Sequence, residues 1–462
     1  MNRLTKFGIM LAAAIAIIFA SDCAFANGEL FNPPPRAAVL SSARTLAIYG
    51  DSITANADSN YYTATPCTTG CYSKVYGTYM TWASIYSNYR LFRAPNTNNC
   101  GYSGYVATQI LAAIGCPLGS GADVVLMEGG GNDASNGVTC ASAKATYRQI
   151  YAQLLAAGKT VIKVGIYPRS GSSAFTTAAA NVAQCLNDAD RRYAEETGNA
   201  NFYFVDLDPV VLDPTQSIWA IKSGYLESDG QHPSQVGGSA EGYAVAQVIN
   251  QIVPNWRVPL VTDGDTYDAT NNPAGNLLPN GAMTGTTGSV SGCTGTAPTG
   301  ITVTASLGGA TCVIATTTLS DGRSAMTITL SGSYTGSNLY VSVSQPVGTP
   351  GNINVGDVLD AGLWLNIGSN AIGGVLVRHQ ITDGGTNYYY DGSNNDASYE
   401  PWPTGGMPDR AQHTVVTPRR TVAGTVTGDL LLATIGFQNE ASSTPISGTI
   451  TISSMWERKV LP

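Results

Sequence analysis

The periodicity of the chain changes once, close to Pro254. Between residues 44 and 256, short apolar runs alternate with segments whose apolar residues are spaced three or four apart. From about residue 275 onwards, short strand-like runs are punctuated by Gly, Ser, Asn and Asp, without convincing helical spacing. Alternating strands and helices predict a parallel sheet covered on both faces, whereas many short strands predict a β-sandwich or jelly roll. The sequence therefore predicts an α/β domain followed by an all-β domain.

The N-terminal 26 residues have the features of an export signal. Arg3 and Lys6 precede an apolar run from Phe7 to Ala20, which is too short to span a bilayer, and Ala24-Phe25-Ala26 forms a cleavage site. No later segment is apolar enough to be transmembrane, so we expect a secreted or periplasmic protein, cleaved after Ala26, without integral membrane association. The predicted organisation is a signal peptide (1–26), an N-terminal segment (27–43), the α/β domain (44–256), a linker (257–275) and the β domain (276–462).

The charge of the chain argues against a nucleic-acid partner. Charged residues make up 12% of the sequence, and 23 Lys and Arg face 31 Asp and Glu, for a net charge of −8. A chain of this balance has no general positive field to attract phosphates. Hydrophobic residues at 43% are sufficient for a packed core in each domain, which argues against a disordered protein.

Cysteine usage fits an exported chain. Cys23 lies within the signal, and an even number remains in the mature sequence: Cys67, Cys71, Cys100, Cys116, Cys140, Cys185, Cys293 and Cys312. Disulfides are the expected use of such a set. Cys293 should pair with the neighbouring Cys312 and Cys67 with Cys71, which leaves Cys100–Cys116 and Cys140–Cys185 by elimination. Metal binding by Cys67 and Cys71 is the competing interpretation, but no second Cys/His pair completes a zinc set, and we expect no metal and no cofactor.

Two glycine-containing turns follow the first predicted strands. Gly50-Asp51-Ser52-Ile53 comes directly after the strand Thr45–Tyr49, and Gly101-Tyr102-Ser103-Gly104 follows the strand candidate Tyr89–Arg93. Open α/β sheets bind ligands at the carboxyl ends of their strands, where backbone N–H groups can stabilise an oxyanion. Ser52 is therefore a candidate nucleophile. Each tripeptide alone is more often an ordinary turn.

Two further polar groups occur at equivalent places. Gly130-Gly131-Asn132-Asp133 follows the strand Ala122–Met127, and an Asn side chain can donate an N–H to a developing negative oxygen. Asp229 precedes His232 by three residues, just before the last predicted helix. A carboxylate so placed can fix the tautomer of the imidazole and leave its Nε2 free to accept a proton from a serine. As isolated features, these would more often be a loop and a surface histidine.

Taken in order, the four signals resemble the SGNH hydrolases, also called the GDSL family of esterases and lipases. The resemblance implies a three-layer α/β/α fold with a parallel sheet. It implies Ser52 as nucleophile, His232 as general base and then acid, and Asp229 as the residue that orients the histidine. It also implies an oxyanion hole formed by the backbone N–H groups of Ser52 and Gly104 and the side chain of Asn132. Gly101 competes with Gly104 for the second position.

The β domain resembles, more loosely, the galactose-binding-like jelly-roll modules attached to secreted carbohydrate enzymes. The residues that carry this resemblance are 276–281, Asn-Leu-Leu-Pro-Asn-Gly. Aromatic residues predicted to lie between strands are candidates for stacking on sugar rings: Tyr388, Tyr389, Tyr390, Tyr399 and Trp402. An assembly surface or an apolar plug beneath a loop would account for them equally well.

The leading functional hypothesis is a secreted serine esterase whose substrate is an acylated carbohydrate or another ester. A lipase or phospholipase and a glycan O-acyltransferase are alternatives that would use the same triad. A glycan-binding surface protein is the alternative without catalysis.

Overall fold

The computed structural model of the chain describes residues 44–56, 79–87, 90–93, 99–216, 219–253, 265–393, 412–417, 420–438 and 440–460. The predicted signal peptide, Cys67, Cys71, Tyr399 and Trp402 lie outside the described residues. None of the described helices is both long enough and apolar enough to cross a membrane.

A parallel sheet forms the centre of the first half. Its strands are β1 (Arg44–Gly50), β2 (Leu91–Arg93), β3 (Asn99–Gly101), β4 (Val124–Met127), β5 (Thr160–Val164) and β6 (Phe202–Val205). They are ordered β2-β1-β4-β5-β6, and β3 also pairs with β1, beyond the end of β2. Every residue of β4 and β5 is buried, and consecutive strand residues face opposite sides, so both faces of the sheet are covered.

Nine helices accompany the sheet within the described residues: α1 (Ser52–Asn56), α2 (Tyr79–Tyr86), α3 (Ala107–Ala112), α4 (Gly115–Gly119), α5 (Gly131–Ser135), α6 (Cys140–Ala156), α7 (Thr177–Glu196), α8 (Asp208–Val211) and α9 (Gln235–Ile252). Helices α3, α6 and α7 share one apolar core with residues of β1, β4 and β5. Thr139 and Thr176 accept backbone N–H bonds at the starts of α6 and α7, which satisfies donors that a helix start leaves free. The α/β/α prediction is confirmed.

Three of the four predicted cysteine pairs are joined as disulfides. They are Cys100–Cys116, Cys140–Cys185 and Cys293–Cys312, with Cα atoms 5.9, 6.2 and 4.9 Å apart. The first ties β3 to α4, and the second ties the start of α6 to α7. The third lies in the β half of the chain.

The second half is all-β among its described residues. Its strands are β7 (Ser289–Ser291), β8 (Thr294–Gly295), β9 (Thr302–Ser306), β10 (Thr311–Thr318), β11 (Ser324–Ser331), β12 (Ser333–Gly336), β13 (Tyr340–Pro346), β14 (Val358–Ser369), β15 (Ile372–Asp383), β16 (Thr386–Ser393), β17 (Gln412–Val416), β18 (Arg420–Thr421), β19 (Val426–Phe437), β20 (Glu440–Pro445) and β21 (Gly448–Lys459). One large sheet has the order β17-β14-β21-β11-β10-β8, the other β16-β15-β19-β13-β9-β7, and β12 pairs with β20. Alternating burial along these strands packs the sheets as a sandwich, consistent with a jelly-roll module.

Asn276 fastens the start of the β half to its last strand. Its side-chain Nδ2 donates to the carbonyl of Met455 at 2.9 Å, and its Oδ1 accepts the backbone N–H of Glu457 at 2.9 Å. The backbone N–H of Leu277 donates in turn to the carbonyl of Glu457 at 2.8 Å. Because the side chain of Asn276 is buried, these bonds replace those that water would otherwise make.

The tyrosines expected on a loop lie instead on a strand. Residues 388–390 belong to β16, which pairs with β15. The guanidinium of Arg420 lies 4.3 Å from the ring centre of Tyr388, and that of Arg378 lies 4.8 Å from the ring centre of Tyr389. The flanking Gly, Asn and Asp suggested a loop, but tyrosine favours a pleated, half-buried surface. Two of these rings, those of Tyr388 and Tyr389, are therefore already in contact with a guanidinium group.

Three carboxyl groups are buried in the α/β core behind the first turn. Asp51, Glu128 and Glu241 are at most 1% exposed, and both side-chain oxygens of Glu241 receive no hydrogen bond from the described residues. Burial, reinforced by the charge of Asp51, raises the pKa of Glu241 well above its ordinary value. Burial and the neighbouring carboxylates of Asp51 and Glu241 raise the pKa of Glu128 in the same direction. Burial therefore favours the protonated form of Glu241 in the folded protein.

We predict that this burial makes folding stability fall as pH rises. A carboxyl whose pKa is raised on folding binds its proton more tightly in the native state. The free energy of unfolding then declines above the ordinary glutamate pKa of 4.5, by about 1.4 kcal/mol per pH unit for each such group until its folded-state pKa is reached. Glu241→Gln should flatten this decline and make the protein more stable than wild type at pH 8. The measurement is urea unfolding from pH 5 to 8, followed by circular dichroism at 222 nm.

Glu195→Gln, on the exposed surface of α7, is the control for loss of a negative charge. Equal slopes for wild type and Glu241→Gln would show that Glu241 is ionised in the fold, and the prediction would be wrong.

Candidate active site

Ser52 lies at the turn between the first strand and the first helix. It is the first residue of α1, it follows β1 by one residue, and it is half-buried. The preceding Asp51 is buried, and its Oδ1 accepts the backbone N–H of Ile53 at 3.0 Å. This bond fixes the turn on both sides of Ser52 and leaves the serine hydroxyl at the carboxyl edge of the sheet.

The loop before α9 is held by its own aspartate. Oδ1 of Asp229 accepts the backbone N–H groups of Gln231 at 2.8 Å and of His232 at 3.0 Å. The carbonyl of Asp229 accepts the hydroxyl of Ser173 at 2.7 Å. These bonds close a turn that places Nδ1 of His232 beside Oδ2 of Asp229.

The structure brings Asp229, His232 and Ser52 into one chain of hydrogen bonds. Nδ1 of His232 lies 2.6 Å from Oδ2 of Asp229, and Nε2 lies 3.0 Å from Oγ of Ser52. Burial would raise the pKa of Asp229, but the bonds from the His232 ring and from two backbone N–H groups outweigh it, so the pKa lies below its ordinary value. An ionised Asp229 favours the proton on Nδ1, which leaves Nε2 free to accept the hydroxyl proton of Ser52.

The two glycines of the second turn have different surroundings. Gly101 ends β3 opposite Gly50, and a Cβ added there would lie 2.2 Å from the backbone nitrogen of Ala55 in α1. Gly104 has a φ of +80°, which favours glycine, and a Cβ there would meet no atom within 4 Å. Gly101 thus allows β3 to pack against α1, whereas Gly104 lies in an open turn whose backbone a substrate can approach.

Asn132 is held at both ends of its amide. The side chain is 8% exposed, in the first turn of α5. Its Nδ2 donates to the carbonyl of Tyr105 at 3.1 Å and makes a longer contact of 3.4 Å with Oδ2 of Asp51. Its Oδ1 accepts a hydrogen bond from Nη2 of Arg169 at 2.9 Å. The amide therefore cannot turn over without losing the bond to the guanidinium.

The motifs in the sequence do not include Arg169. It lies in the segment after β5, 37 residues from Asn132, and its Nη1 also donates to Oγ of Ser135 at 2.8 Å. The available signal was positional, because Arg169 follows a predicted strand just as Ser52 and Asn132 do. A cation at the carboxyl edge of a parallel sheet is a candidate for the site on that ground.

Asp133 supports the structure around the site through hydrogen bonds to α3 and α6. Its two carboxylate oxygens each lie 3.1 Å from the backbone N–H of Ala107 at the start of α3, and the hydroxyl of Tyr147 donates to Oδ2 at 3.2 Å. Asp133 therefore ties α5, the helix that carries Asn132, to α3, the helix after the Gly104 turn.

Two cavities are lined by residues of the α/β half. One of about 260 Å³ includes Gln231, next to His232, and Arg169; its lining is completed by Ser135, Ser173, Ala174, Phe175, Thr176 and Ala179. A second of about 460 Å³ is lined by Gln184, Asp208, Pro209, Leu212, Asp213, Pro214, Gln216, Trp219 and Lys222.

A stack of three planar groups links the two cavities. The guanidinium of Arg169 lies 5.3 Å from the ring centre of Phe175, and the rings of Phe175 and Trp219 are nearly parallel with centres 6.0 Å apart. Nε1 of Trp219 donates to Oδ1 of Asp208 at 3.0 Å. The sequence did not predict this Arg169–Phe175–Trp219 stack, because Trp219 lies 44 residues beyond Phe175 in the chain.

The described residues contain one group of three His, Cys, Asp or Glu side chains close enough to hold a metal ion, and it is in the β half. The candidate active site therefore contributes no such group from its described residues. Its arrangement suits proton transfer to and from Ser52.

We predict that Arg169 acts on ester hydrolysis through Asn132. Arg169→Ala should lower kcat by about tenfold to a hundredfold, less than the roughly 10²–10³-fold expected for loss of the oxyanion donor in Asn132→Ala. In the double variant, the loss should be close to that of Asn132→Ala alone, since residues acting as a unit are non-additive. Steady-state kinetics with p-nitrophenyl acetate measure all three variants.

Arg192→Ala, on the exposed surface of α7, is the matched control for removal of a cation. If the effects of Arg169→Ala and Asn132→Ala multiply in the double variant, Arg169 acts independently of Asn132 and the prediction is wrong.

Part of the chain is similar to known proteins. Residues 48–240 match the sequence model of the GDSL-like Lipase/Acylhydrolase family. No curated protein matches the chain. Among solved structures, the acetylxylan esterase Axe2 from Geobacillus stearothermophilus is similar at 20% identity, with a TM-score of 0.34, over 46% of this chain and 96% of that one. An acylhydrolase from Bacteroides fragilis is similar at 18% identity, with a TM-score of 0.33, over 47% of this chain and 91% of that one. Over residues 48–240, the α/β half of this chain is therefore similar to the GDSL-like lipase/acylhydrolase family.

Proposed function

We propose that the protein is an exported serine esterase that removes acyl groups from carbohydrate through a Ser52–His232–Asp229 triad. The observation that carries the mechanism is the continuous hydrogen-bonded chain, with 2.6 Å between Asp229 and His232 and 3.0 Å between His232 and Ser52. A nucleophile, a base within reach of it and a group that orients the base are the three parts of such a site.

In the first half of the reaction, Oγ of Ser52 attacks the ester carbonyl while Nε2 of His232 takes the hydroxyl proton. The resulting oxyanion is stabilised by the backbone N–H groups of Ser52 and Gly104 and by Nδ2 of Asn132. The hydrogen of Nδ2 that makes only the longer contact with Asp51 is the one available to it. The C–O bond of the leaving alcohol then breaks, His232 returns the proton to that alcohol, and an acyl-serine remains.

In the second half, water attacks the acyl-serine and His232 takes a proton from it. A second oxyanion forms in the same hole and collapses to release the acid, and the proton returns to Ser52. Asp229 stays ionised throughout because its hydrogen bonds hold its pKa low. It stabilises the imidazolium that forms twice in each cycle.

The cavity beside the triad supports a carbohydrate as the alcohol part of the ester. Its lining is mostly polar, with Arg169, Gln231 and three hydroxyl side chains around one aromatic ring. Sugars present hydroxyl groups at their edges and apolar C–H faces, which match such a mixture. A lipase would need a longer apolar surface for its acyl chain than these residues provide.

The Arg169–Phe175–Trp219 stack provides a further surface that can bind carbohydrate, at a distance from the reacting ester. Trp219 lines the second cavity together with Asp208, Asp213 and Lys222, whose polar groups can bind hydroxyls. We infer that a glycan carrying the acyl group lies along the stack, with its esterified sugar near Gln231 and further sugars towards Trp219.

Export is part of the same proposal. The signal-like N-terminus and the three disulfides are typical of a protein in an oxidising compartment outside the cytoplasm. Acylated polysaccharides of cell surfaces are accessible to an enzyme in that location. The β domain would then act as an accessory module that keeps the enzyme on a polymeric substrate.

We predict that Ser52→Ala abolishes ester hydrolysis and leaves the fold intact. Loss of a triad nucleophile costs on the order of 10⁴-fold or more in kcat. The measurement is hydrolysis of p-nitrophenyl acetate and of acetylated xylooligosaccharides, with circular dichroism to check folding. Ser142→Ala, on the exposed surface of α6, is the control for loss of a hydroxyl. A Ser52→Ala protein that keeps a tenth of the activity would rule out this nucleophile.

We predict that Trp219→Ala separates the two kinds of substrate. The value of kcat/KM for acetylated oligosaccharides should fall by about tenfold, the equivalent of about 1.4 kcal/mol of lost stacking, while that for p-nitrophenyl acetate changes less than twofold. Trp219→Phe should recover part of the loss because it keeps an aromatic face. Tyr340→Ala, which removes an exposed ring from β13, is the control.

Equal losses on both substrates would mean that Trp219 only supports the fold of the site. A wild-type enzyme that prefers esters of long acyl chains would favour the lipase alternative. Transfer of the acyl group to an added glycan in preference to water would favour the acyltransferase.

A further inference from the structure

Inside the β-sandwich, three ionisable side chains meet between the two large sheets. His379 on β15 and Asp429 on β19 project from one sheet, and Glu457 on β21 projects from the other. Nε2 of His379 lies 2.9 Å from Oδ1 of Asp429 and 3.5 Å from Oε1 of Glu457. All three side chains are 0% exposed. These residues, which we call the core triad, play no part in the proposed hydrolysis.

The core triad contains more acceptors than donors. Oδ2 of Asp429 and both carboxylate oxygens of Glu457 receive no hydrogen bond from the described residues. The ion pairs among the described residues include no Lys or Arg partner for either carboxylate, since Arg420 pairs with Asp383 and Lys459 with Asp357. Two carboxylates and one imidazole therefore share a fully buried position with a deficit of positive charge. Such a deficit is costly unless a cation or an extra proton fills it.

The geometry of the donors suits a divalent metal ion. One nitrogen or oxygen atom from each of the three side chains lies within 4.8 Å of the others. Two ligands bound at the usual zinc distances of about 2.0–2.1 Å are about 3.4 Å apart at a tetrahedral ion. The two distances from Nε2 of His379, 2.9 and 3.5 Å, bracket that value. Small side-chain movements would therefore open a site of one imidazole and two carboxylates, with a second carboxylate oxygen as a possible fourth ligand.

We propose that the core triad is a structural zinc site that links the two sheets of the β-sandwich. The imidazole nitrogen selects zinc over calcium and magnesium, which prefer oxygen ligands alone. An ion held by β15, β19 and β21 would supply the missing positive charge and join the sheets where no disulfide is found among the described residues. Because the site is sealed from solvent, the ion enters as the domain folds.

The first experiment measures metal in the full chain, purified without a histidine tag. Elemental analysis should find about one zinc ion per chain. The protein is then unfolded in urea with a chelator, its disulfides left intact, and refolded with zinc, with calcium or with chelator alone. Zinc should raise the melting temperature of the refolded protein by roughly 5 °C or more over the chelator sample, and calcium should not.

The second experiment assigns the ion to the core triad. Asp429→Asn and His379→Gln each remove a ligand with little change of shape and should bind less than a tenth of the wild-type zinc. Asp321→Asn, an exposed aspartate of the same domain, is the matched control and should keep it. If either triad variant does not fold, Glu457→Gln and the wild-type measurements still test the site.

Two results would overturn the proposal. If wild-type protein retains no zinc and melts at the same temperature with zinc and with chelator, a shared proton between Asp429 and Glu457 meets the charge deficit instead. If Asp429→Asn and His379→Gln retain a full zinc ion, the metal is bound elsewhere. Neither result depends on esterase activity, so the fate of the active-site proposal does not affect this one.

Discussion

Parallel pairing of β1 with β3 and β4 is the interaction on which the candidate active site depends. Tyr49 of β1 lies opposite Met127 of β4, and Gly50 lies opposite Gly101 of β3. Because the pairs are parallel, the segments that leave the three strands emerge at one edge of the sheet. The backbone register of these strands places Ser52, the Gly104 turn and Asn132 at that edge, and this placement does not depend on contacts between their side chains. Only the loop with Asp229 and His232 arrives from outside the sheet, and its own hydrogen bonds hold it.

Both halves of the protein contain buried carboxyl groups, and the groups that surround these carboxyls differ between the two halves. Behind the turn that carries Ser52, burial raises the pKa of Glu241 and of Glu128, which favours their protonated forms. In the sandwich core, a histidine lies against two carboxylates, and the pKa of Glu457 is raised to about 8 by burial and by Asp429. Although few residues of the chain are charged, ionisable groups interact strongly in both cores.

The residues outside the motifs give the site its shape. Arg169 restrains the amide of Asn132 from the far side, and its other face begins the stack with Phe175 and Trp219. One side chain therefore connects Asn132, the proposed oxyanion donor, to the surface on which we place the rest of the substrate. Such a connection gives a route by which the alcohol part of an ester could influence the reacting carbonyl.

The sequence alone determined the α/β and all-β halves, the order of the parallel strands' polar turns and the family that these turns resemble. Those features are local, because periodicity, glycine stops and short motifs depend on residues close together in the chain. Tertiary structure decided the partner of Asn132, the difference between Gly101 and Gly104, the place of residues 388–390 on a strand, and the meeting of His379, Asp429 and Glu457 between two sheets. Each of these depends on which strands become neighbours and in what register. A shift of one residue would turn His379 or Glu457 to the opposite face of its sheet, and no local pattern fixes that choice.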